Sequence, residues 1–168
     1  MSLYKINLLE KQHRISHFSC SIEALDNYLK HQASQDRRRD IAAVYALTEE
    51  GSNDVLGYYT LSSTIIPLDN LPENEAKRLP RYPNIPAILI GRLAVDKRCQ
   101  SKGYGEVLLI NALKRSLDLS SKIGSMAVVV DAINDKAKSF YKHFGFISFQ
   151  GLHGRLFITM KTIRKLPF

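Results

Sequence analysis

The chain has no tryptophan and only two cysteines, Cys20 and Cys99, far apart and outside any metal-ligand spacing. That scarcity argues against a disulfide framework or a zinc module; reduced thiols and no metal are expected. No apolar run approaches the ~18 residues of a membrane span. The start, Met1-Ser2-Leu3-Tyr4-Lys5, lacks the basic-then-apolar layout of a signal peptide. A soluble, cytoplasmic protein with no membrane partner is the expectation. There is no internal repeat, low-complexity tract or Gly/Ser linker to divide the chain. Acidic residues are also scarce: 16 Asp and Glu stand against 24 Lys and Arg, a net charge of +8, and none follows Asp135. A balance of that sign favours polyanionic partners or acidic cofactors without choosing between them.

What is present fits one globular domain spanning residues 1–168, 45% hydrophobic and 24% charged. Leu3 to Leu8 alternates weakly, as a first strand does. Ser21 is the expected N-cap of a helix to about Arg37, with Ile22, Leu25, Leu29 and Ala33 at near-helical spacing. Ile41 to Leu47 and Val55 to Ile66 flank a polar turn and predict an antiparallel hairpin. Pro72 to Leu79 predicts a short helix, and Pro80, Pro83 and Pro86 then impose extended chain. Ala87 to Val95 and Met126 to Ala132 are continuous apolar runs, expected as strands buried on both faces. Gly103 to Leu119 and Asn134 to His143 carry helical stripes. Phe146 to Phe149 and Arg155 to Met160 close as a hairpin. The fold class expected is α/β (α+β), a mixed, mostly antiparallel twisted sheet of six to seven strands flanked by helices.

The most informative stretch is Gly91-Arg92-Leu93-Ala94-Val95-Asp96-Lys97-Arg98-Cys99-Gln100-Ser101-Lys102-Gly103-Tyr104-Gly105. A buried strand runs into a basic loop that opens a helix at two glycines. First-turn amides lack helical partners, the helix dipole adds partial positive charge, and glycine admits close approach of an anion. Neither the P-loop nor the dinucleotide fingerprint matches. Two glycines at a helix start are equally compatible with tight packing.

Gln100-x-x-Gly103-x-Gly105 after Leu93-Ala94-Val95 resembles the acetyl-coenzyme A signature of the GNAT superfamily of N-acetyltransferases, and the strand order resembles that fold. Asn134 to Phe146 resembles the same superfamily's Asn-x-x-Ala-x-x-Phe-Tyr-x-x-x-Gly-Phe stretch. The resemblance implies acetyl-coenzyme A as acetyl donor. By motif position, Leu93, Ala94 and Val95 would line the pantetheine arm. Gln100, Ser101, Lys102, Gly103, Tyr104 and Gly105 would cradle the pyrophosphate, with Arg98 and Lys102 adding charge. Asn134 would touch the cofactor, and Tyr141 would sit beside its sulfur as the catalytic acid, protonating the departing thiolate. A backbone N–H near Leu93 or Ala94 is the expected donor to the acyl oxygen. None of the five histidines stands out as a base, and an α-amine with a pKa near 8 needs none. Arg92, inside an apolar strand, must be paired or reach a cleft, which suits a substrate-facing role.

Phe18-x-Cys20-x-x-x-Ala24-Leu25-Asp26-x-Tyr28-Leu29, Gly57 to Ser62, Arg78 to Pro83 and Gly91 to Asp96 are similar to the tRNA-acetylating toxin branch of type II toxin–antitoxin systems. That resemblance implies acetylation of the α-amino group on aminoacyl-tRNA. It further implies a ribbon-helix-helix antitoxin, operator DNA bound only by the toxin–antitoxin complex, and a homodimer. A polyanionic acceptor also accounts for the charge: Arg37, Arg38 and Arg39 would grip phosphates, helped by Arg78, Arg81 and the basic tail. Of Tyr58 and Tyr59, which alternate across their strand, one is expected to face the acceptor cleft. Two other readings stay open on the residues alone, a GNAT enzyme for another amine and a non-catalytic module with a basic binding face.

Overall fold

The computed structural model describes residues 3–168. Contacts gather into two units, one from the residues up to Ser62 with Gly91–Ala112, the other from Ser63–Ile90 with Leu113–Phe168. Seven strands follow the order β1-β2-β3-β4-β5-β7-β6. They are β1 (Tyr4–Leu8), β2 (Ala43–Glu49), β3 (Gly57–Pro67), β4 (Asn84–Val95), β5 (Ala127–Asp131), β6 (Ile147–Ser148) and β7 (Arg155–Thr159). The sheet is mixed: β4 and β5 run parallel, whereas β1/β2, β2/β3, β5/β7 and β6/β7 are antiparallel. Among the described residues, no helix is long and apolar enough to cross a membrane.

In the first unit, the predicted hairpin forms with Ala43 opposite Leu61 and Leu47 opposite Gly57. Its inner face and the preceding helical segment bury Phe18, Leu29, Val44 and Tyr58. That segment runs as α1 (Glu23–Asn27), a π-helical turn over Tyr28–Gln32, and α2 (Ala33–Arg38). Ser21 does not cap it. Ser21 lies at φ 72, and Ile22 takes the N-cap position with no side-chain bond. Asp26 reaches back instead, accepting from the Cys20 N–H at 2.8 Å, so the entry is held from inside the helix.

In the second unit, β5 is the most enclosed strand, with Ala127 to Val130 all at 0–1% exposure. Burial on both faces is what a continuous apolar run requires. Its parallel partnership with β4 needs a long connection, supplied by α4 (Tyr104–Ser120). The short helix α3 (Glu73–Ala76) follows the expected position, as does α5 (Asp135–His143). The closing hairpin departs from expectation at its end. β7 stops at Thr159, whose Oγ1 accepts from the Thr162 N–H at 3.1 Å and caps a last helix, α6 (Met160–Ile163). Met160 therefore begins a helix and does not end a strand.

Candidate active site

The parallel register of β4 stops at Ile90 opposite Val130, and β4 runs on through Gly91 to Val95. Leu93 and Val95 are half-buried and Ala94 is buried. The strand then turns at Asp96, which is 1% exposed. Its carboxylate accepts from Arg98 Nε at 2.8 Å, Arg98 Nη2 at 3.0 Å, the Arg98 N–H at 2.9 Å and the Ser19 N–H at 3.1 Å. Burial opposes ionisation of Asp96, but the Arg98 bonds and the two backbone donors outweigh it and hold the carboxyl below its usual range. The Arg98 guanidinium is thus occupied by a carboxylate that fixes the loop. Gln100 also works as a brace, its Nε2 lying 3.2 Å from the Val95 carbonyl and 3.3 Å from that of Cys20.

Beyond the brace the backbone turns through two left-handed residues, Ser101 at φ 74 and Gly103 at φ 82. Serine is an unusual occupant there, and such strain persists where the surroundings over-determine it. A Cβ placed on Gly103 would have nothing within 4 Å, so the space above this residue is open. The Val107 N–H bonds the Gly103 carbonyl at 3.1 Å; the amides just ahead of it have no turn before them to pair with. Ser101, Lys102 and Gly103 are exposed, while the Tyr104 ring is buried edge-on to Tyr4 at 6.1 Å between centroids. Open amides at the head of a 17-residue helix, a lysine beside them and unfilled space over glycine fit a pyrophosphate. Gly57 sets α4 in place. A Cβ there would meet Leu108 Cδ1 at 2.8 Å and the Ala94 carbonyl at 3.2 Å, so any side chain would push the Leu108 side chain aside and crowd the strand.

The same unit holds the arginines expected at the acceptor. Arg92 lies with its Cζ 3.5 Å from the centroid of the Tyr28 ring, a cation–π stack. Tyr28 stacks in turn on Tyr58, at 6.2 Å and 16°. The Tyr28 hydroxyl donates to Asp36 Oδ2 at 2.8 Å, and Gln32 Nε2 donates to Asp36 Oδ1 at 2.9 Å. The Gln32 bond first, then those of Tyr28 and the charges of Arg92 and Arg39, hold the Asp36 carboxyl below its ordinary value against some burial. Arg92 and Arg39, the last of the triplet Arg37, Arg38 and Arg39, thus act on one carboxylate. Arg38 and Arg39 are exposed; Arg37 turns its Nε into a buried position with no hydrogen-bond partner. Tyr28 entered the sequence reading only as part of a motif, and Gln32 and Asp36 not at all, although their i, i+4, i+8 spacing places them along one side of a helix. Tyr58 and Tyr59 correct an expectation: both are fully buried. The Tyr58 hydroxyl donates to the Leu25 carbonyl at 2.7 Å, and that of Tyr59 to Asn111 Oδ1 at 2.6 Å, so neither faces a cleft. Burial, with Asp26 nearby, pushes the Cys20 thiol up to about 11, leaving it protonated and unsuited to nucleophilic work.

Asn134 and Tyr141 belong to the second unit. Asn134 is the N-cap of α5, its Oδ1 accepting from the Ala137 N–H at 2.8 Å. Tyr141, 7% exposed, sits on the same helix with its ring edge-on to Phe140 and Phe146 at 5.3 Å from each. Burial alone pushes its phenol up to about 12. The ring is packed as a core residue packs, yet its hydroxyl has no partner among the described residues. A buried phenol that keeps its proton and spends it on no neighbour is an available donor.

Comparison with known proteins agrees with this geometry. The family model described as "Acetyltransferase (GNAT) family" matches residues 7–146. A "Probable toxin TacT" of Sinorhizobium fredii is 31% identical, covering 92% of this chain and 90% of its own. A "tRNA-acetylating toxin" of Mycobacterium tuberculosis is 32% identical, covering 79% and 77%. The solved structure of AtaT complexed with acetyl-methionyl-tRNAfMet is 32% identical, covers 96% of this chain and 97% of that one, and superposes with a TM-score of 0.90. Other solved AtaT and KacT structures, at 30 to 32% identity, include complexes with acetyl-CoA, with the antitoxin AtaR and with DNA. Signature loop, fold and relatives converge, and the chain belongs to the GNAT family of acetyltransferases.

Proposed function

We propose that this protein is an acetyl-CoA-dependent N-acetyltransferase that acetylates the α-amino group of aminoacyl-tRNA, the toxin half of a toxin–antitoxin pair that stalls translation in the cytoplasm. The observation that carries the catalytic part is the open, left-handed Gly103 at the head of α4, braced by buried Asp96. Likeness to tRNA-acetylating toxins supports the acceptor. Likeness to complexes with an antitoxin and with DNA supports an antitoxin partner and DNA binding by the pair; a ribbon-helix-helix antitoxin, operator DNA as the target and a homodimer are parts of the same reading.

Acetyl-CoA, when bound, supplies a thioester whose sulfur can leave as a thiolate. The amides and the Gly103 backbone hold the pyrophosphate, with Gln100, Ser101, Lys102, Tyr104 and Gly105 forming the rest of the turn. The Asp96 brace fixes that loop before the ligand arrives, so little reorganisation is needed on binding. Leu93, Ala94 and Val95 offer backbone groups to the pantetheine arm, and an amide among them donates to the acyl oxygen. Tyr141 arrives protonated at any physiological pH and serves as a donor to the leaving sulfur, never as a base. The acceptor amine is already substantially neutral near pH 8. Arg92, stacked on Tyr28 with its N–H edge unpaired among the described residues, faces the acceptor, and Arg37, Arg38 and Arg39 contribute phosphate contacts.

The test is transfer of labelled acetyl groups from acetyl-CoA to charged and uncharged tRNA, with Tyr141→Phe alongside. Label on charged tRNA alone, reduced about 10²–10⁴-fold in the variant, is expected. Label on neither pool from a protein that binds acetyl-CoA would overturn the acceptor assignment and leave another amine as substrate.

A further inference from the structure

The second unit contains a cleft of about 490 Å³ between the end of α3 and α6, lined by Glu75, Arg78, Lys161, Arg164 and Lys165 among others. The sequence places three of its cations together for a helical reason. Met160 and Ile163 turn inward, at 3% and 0% exposure, so Lys161, Arg164 and Lys165, at i, i+3 and i+4, share the outer face. The Arg164 N–H continues the turn onto the Met160 carbonyl at 3.0 Å, and the Met160 N–H ties it to the Met126 carbonyl at 2.9 Å. Across the cleft, Lys77 is drawn away to Glu73 at 3.5 Å, which leaves Arg78 as the cation on that wall. All four cations are exposed, and among the described residues none is in an ion pair. Glu75 is the only acid in the lining.

Four like charges held together with one carboxylate repel one another, and a cleft lined by one sign focuses potential on whatever enters it. No lining residue is aromatic, so a base has nothing to stack on. The apolar members Leu79 and Met126 pack on the buried cluster around Phe157 and Ile85. The wall offered to solvent is therefore charged, without the apolar anchors that an acidic helical peptide needs. We propose that this cleft is a phosphodiester-binding site that grips the sugar–phosphate backbone of RNA without reading its sequence. That the RNA is the tRNA of the acceptor rests on the function proposed above; the preference for phosphodiester does not.

The probe is uncharged tRNA, its affinity measured by fluorescence anisotropy between 50 and 200 mM KCl with the full chain. Arg78→Gln/Arg164→Gln removes two phosphate contacts and should flatten the log–log salt slope by about two. Over that fourfold rise in salt, the wild type should lose about tenfold more affinity than the variant. Arg78→Lys/Arg164→Lys keeps the charges and should keep the slope. Acetyl-CoA affinity, unchanged in both, shows that the variants fold. An equal slope in wild type and the Gln pair overturns the site. So does unchanged tRNA affinity with weakened binding of a glutamate-rich helical peptide, which would assign the cleft to protein. If the slope depends on the cleft but charged tRNA is not acetylated, the phosphate site stands and the acceptor assignment falls. Acetylation of charged tRNA with a slope indifferent to the cleft overturns the site alone.

Discussion

Gly51 and Gly103 form a matched pair on which the anion cradle can be tested. They lie at φ +81 and φ +82, and a Cβ on either would have nothing within 4 Å. Alanine in the left-handed region costs about 1 kcal/mol whatever the surroundings. Gly51→Ala and Gly103→Ala should therefore destabilise alike, each lowering Tm by about 2–4 °C in a chain of this size. They should part on the ligand. Gly51 lies in the turn between β2 and β3, and its methyl would point into solvent. A methyl on Gly103 would stand where the pyrophosphate approaches the amides and displace a charge-assisted hydrogen bond of about 1.5–3 kcal/mol. At about 1.4 kcal/mol per decade, that predicts acetyl-CoA binding weakened roughly tenfold to a hundredfold for Gly103→Ala. No change is expected for Gly51→Ala. Calorimetric titration with acetyl-CoA and with S-acetylpantetheine, which lacks the pyrophosphate, separates the causes. S-acetylpantetheine should bind both variants equally. If Gly51→Ala weakens acetyl-CoA as much as Gly103→Ala, or if Gly103→Ala binds like wild type, the cradle argument is refuted.

Three further expectations follow from the same site. Ser101→Gly should raise Tm by about 2–4 °C, because glycine relieves about 1 kcal/mol of left-handed strain at φ 74; a lower Tm would mean that the serine side chain holds the loop. Asp96→Asn should cost about 2–3 kcal/mol by urea titration at neutral pH, since the buried acceptor loses its charge. The wild-type carboxyl sits below its unfolded value, so its contribution is present above about pH 4 and fades as pH falls through the folded value. A loss under 0.5 kcal/mol in Asp96→Asn would show that the brace is dispensable. Tyr141 runs the other way. Its phenol is raised to about 12, so its contribution is intact below pH 10 and declines by up to about 1.4 kcal/mol per unit as pH rises toward 12. Urea midpoints between pH 10 and 11 should fall less steeply in Tyr141→Phe, and equal slopes would contradict the burial of a protonated phenol.

The local chain determined a good part of this protein. Continuous apolar residues from Ala127 to Val130 required a strand covered on both faces, and the hairpin of β2 and β3 followed from two apolar runs around a polar turn. The loop from Asp96 to Gly105 was legible as a candidate anion site through its glycines and its place between strand and helix, because first-turn amides without helical partners are a local property. Boundaries were less legible where a capping side chain decided them. Asp26 reaching back to Cys20 took the cap from Ser21, and the Thr159 cap turned the last residues from strand to helix.

Only the tertiary structure settled what long-range contacts decide. Tyr58 and Tyr59 alternate as residues with opposite fates would, yet both are buried, because Leu25 and Asn111 come over the sheet to satisfy their hydroxyls. Asp96 caps the turn of its near neighbour Arg98 locally, but the Ser19 N–H reaches its carboxylate only across the fold. Arg92 acquires its partner only when the π-helical turn sets the Tyr28 ring against it. Arg78 joins Lys161, Arg164 and Lys165, which already share one helical face, only when the end of α3 and α6 line one cleft. Sequence spacing governs what neighbours along a helix or strand can share. The pairing of charges and rings distant in sequence depends on packing, which no local pattern records.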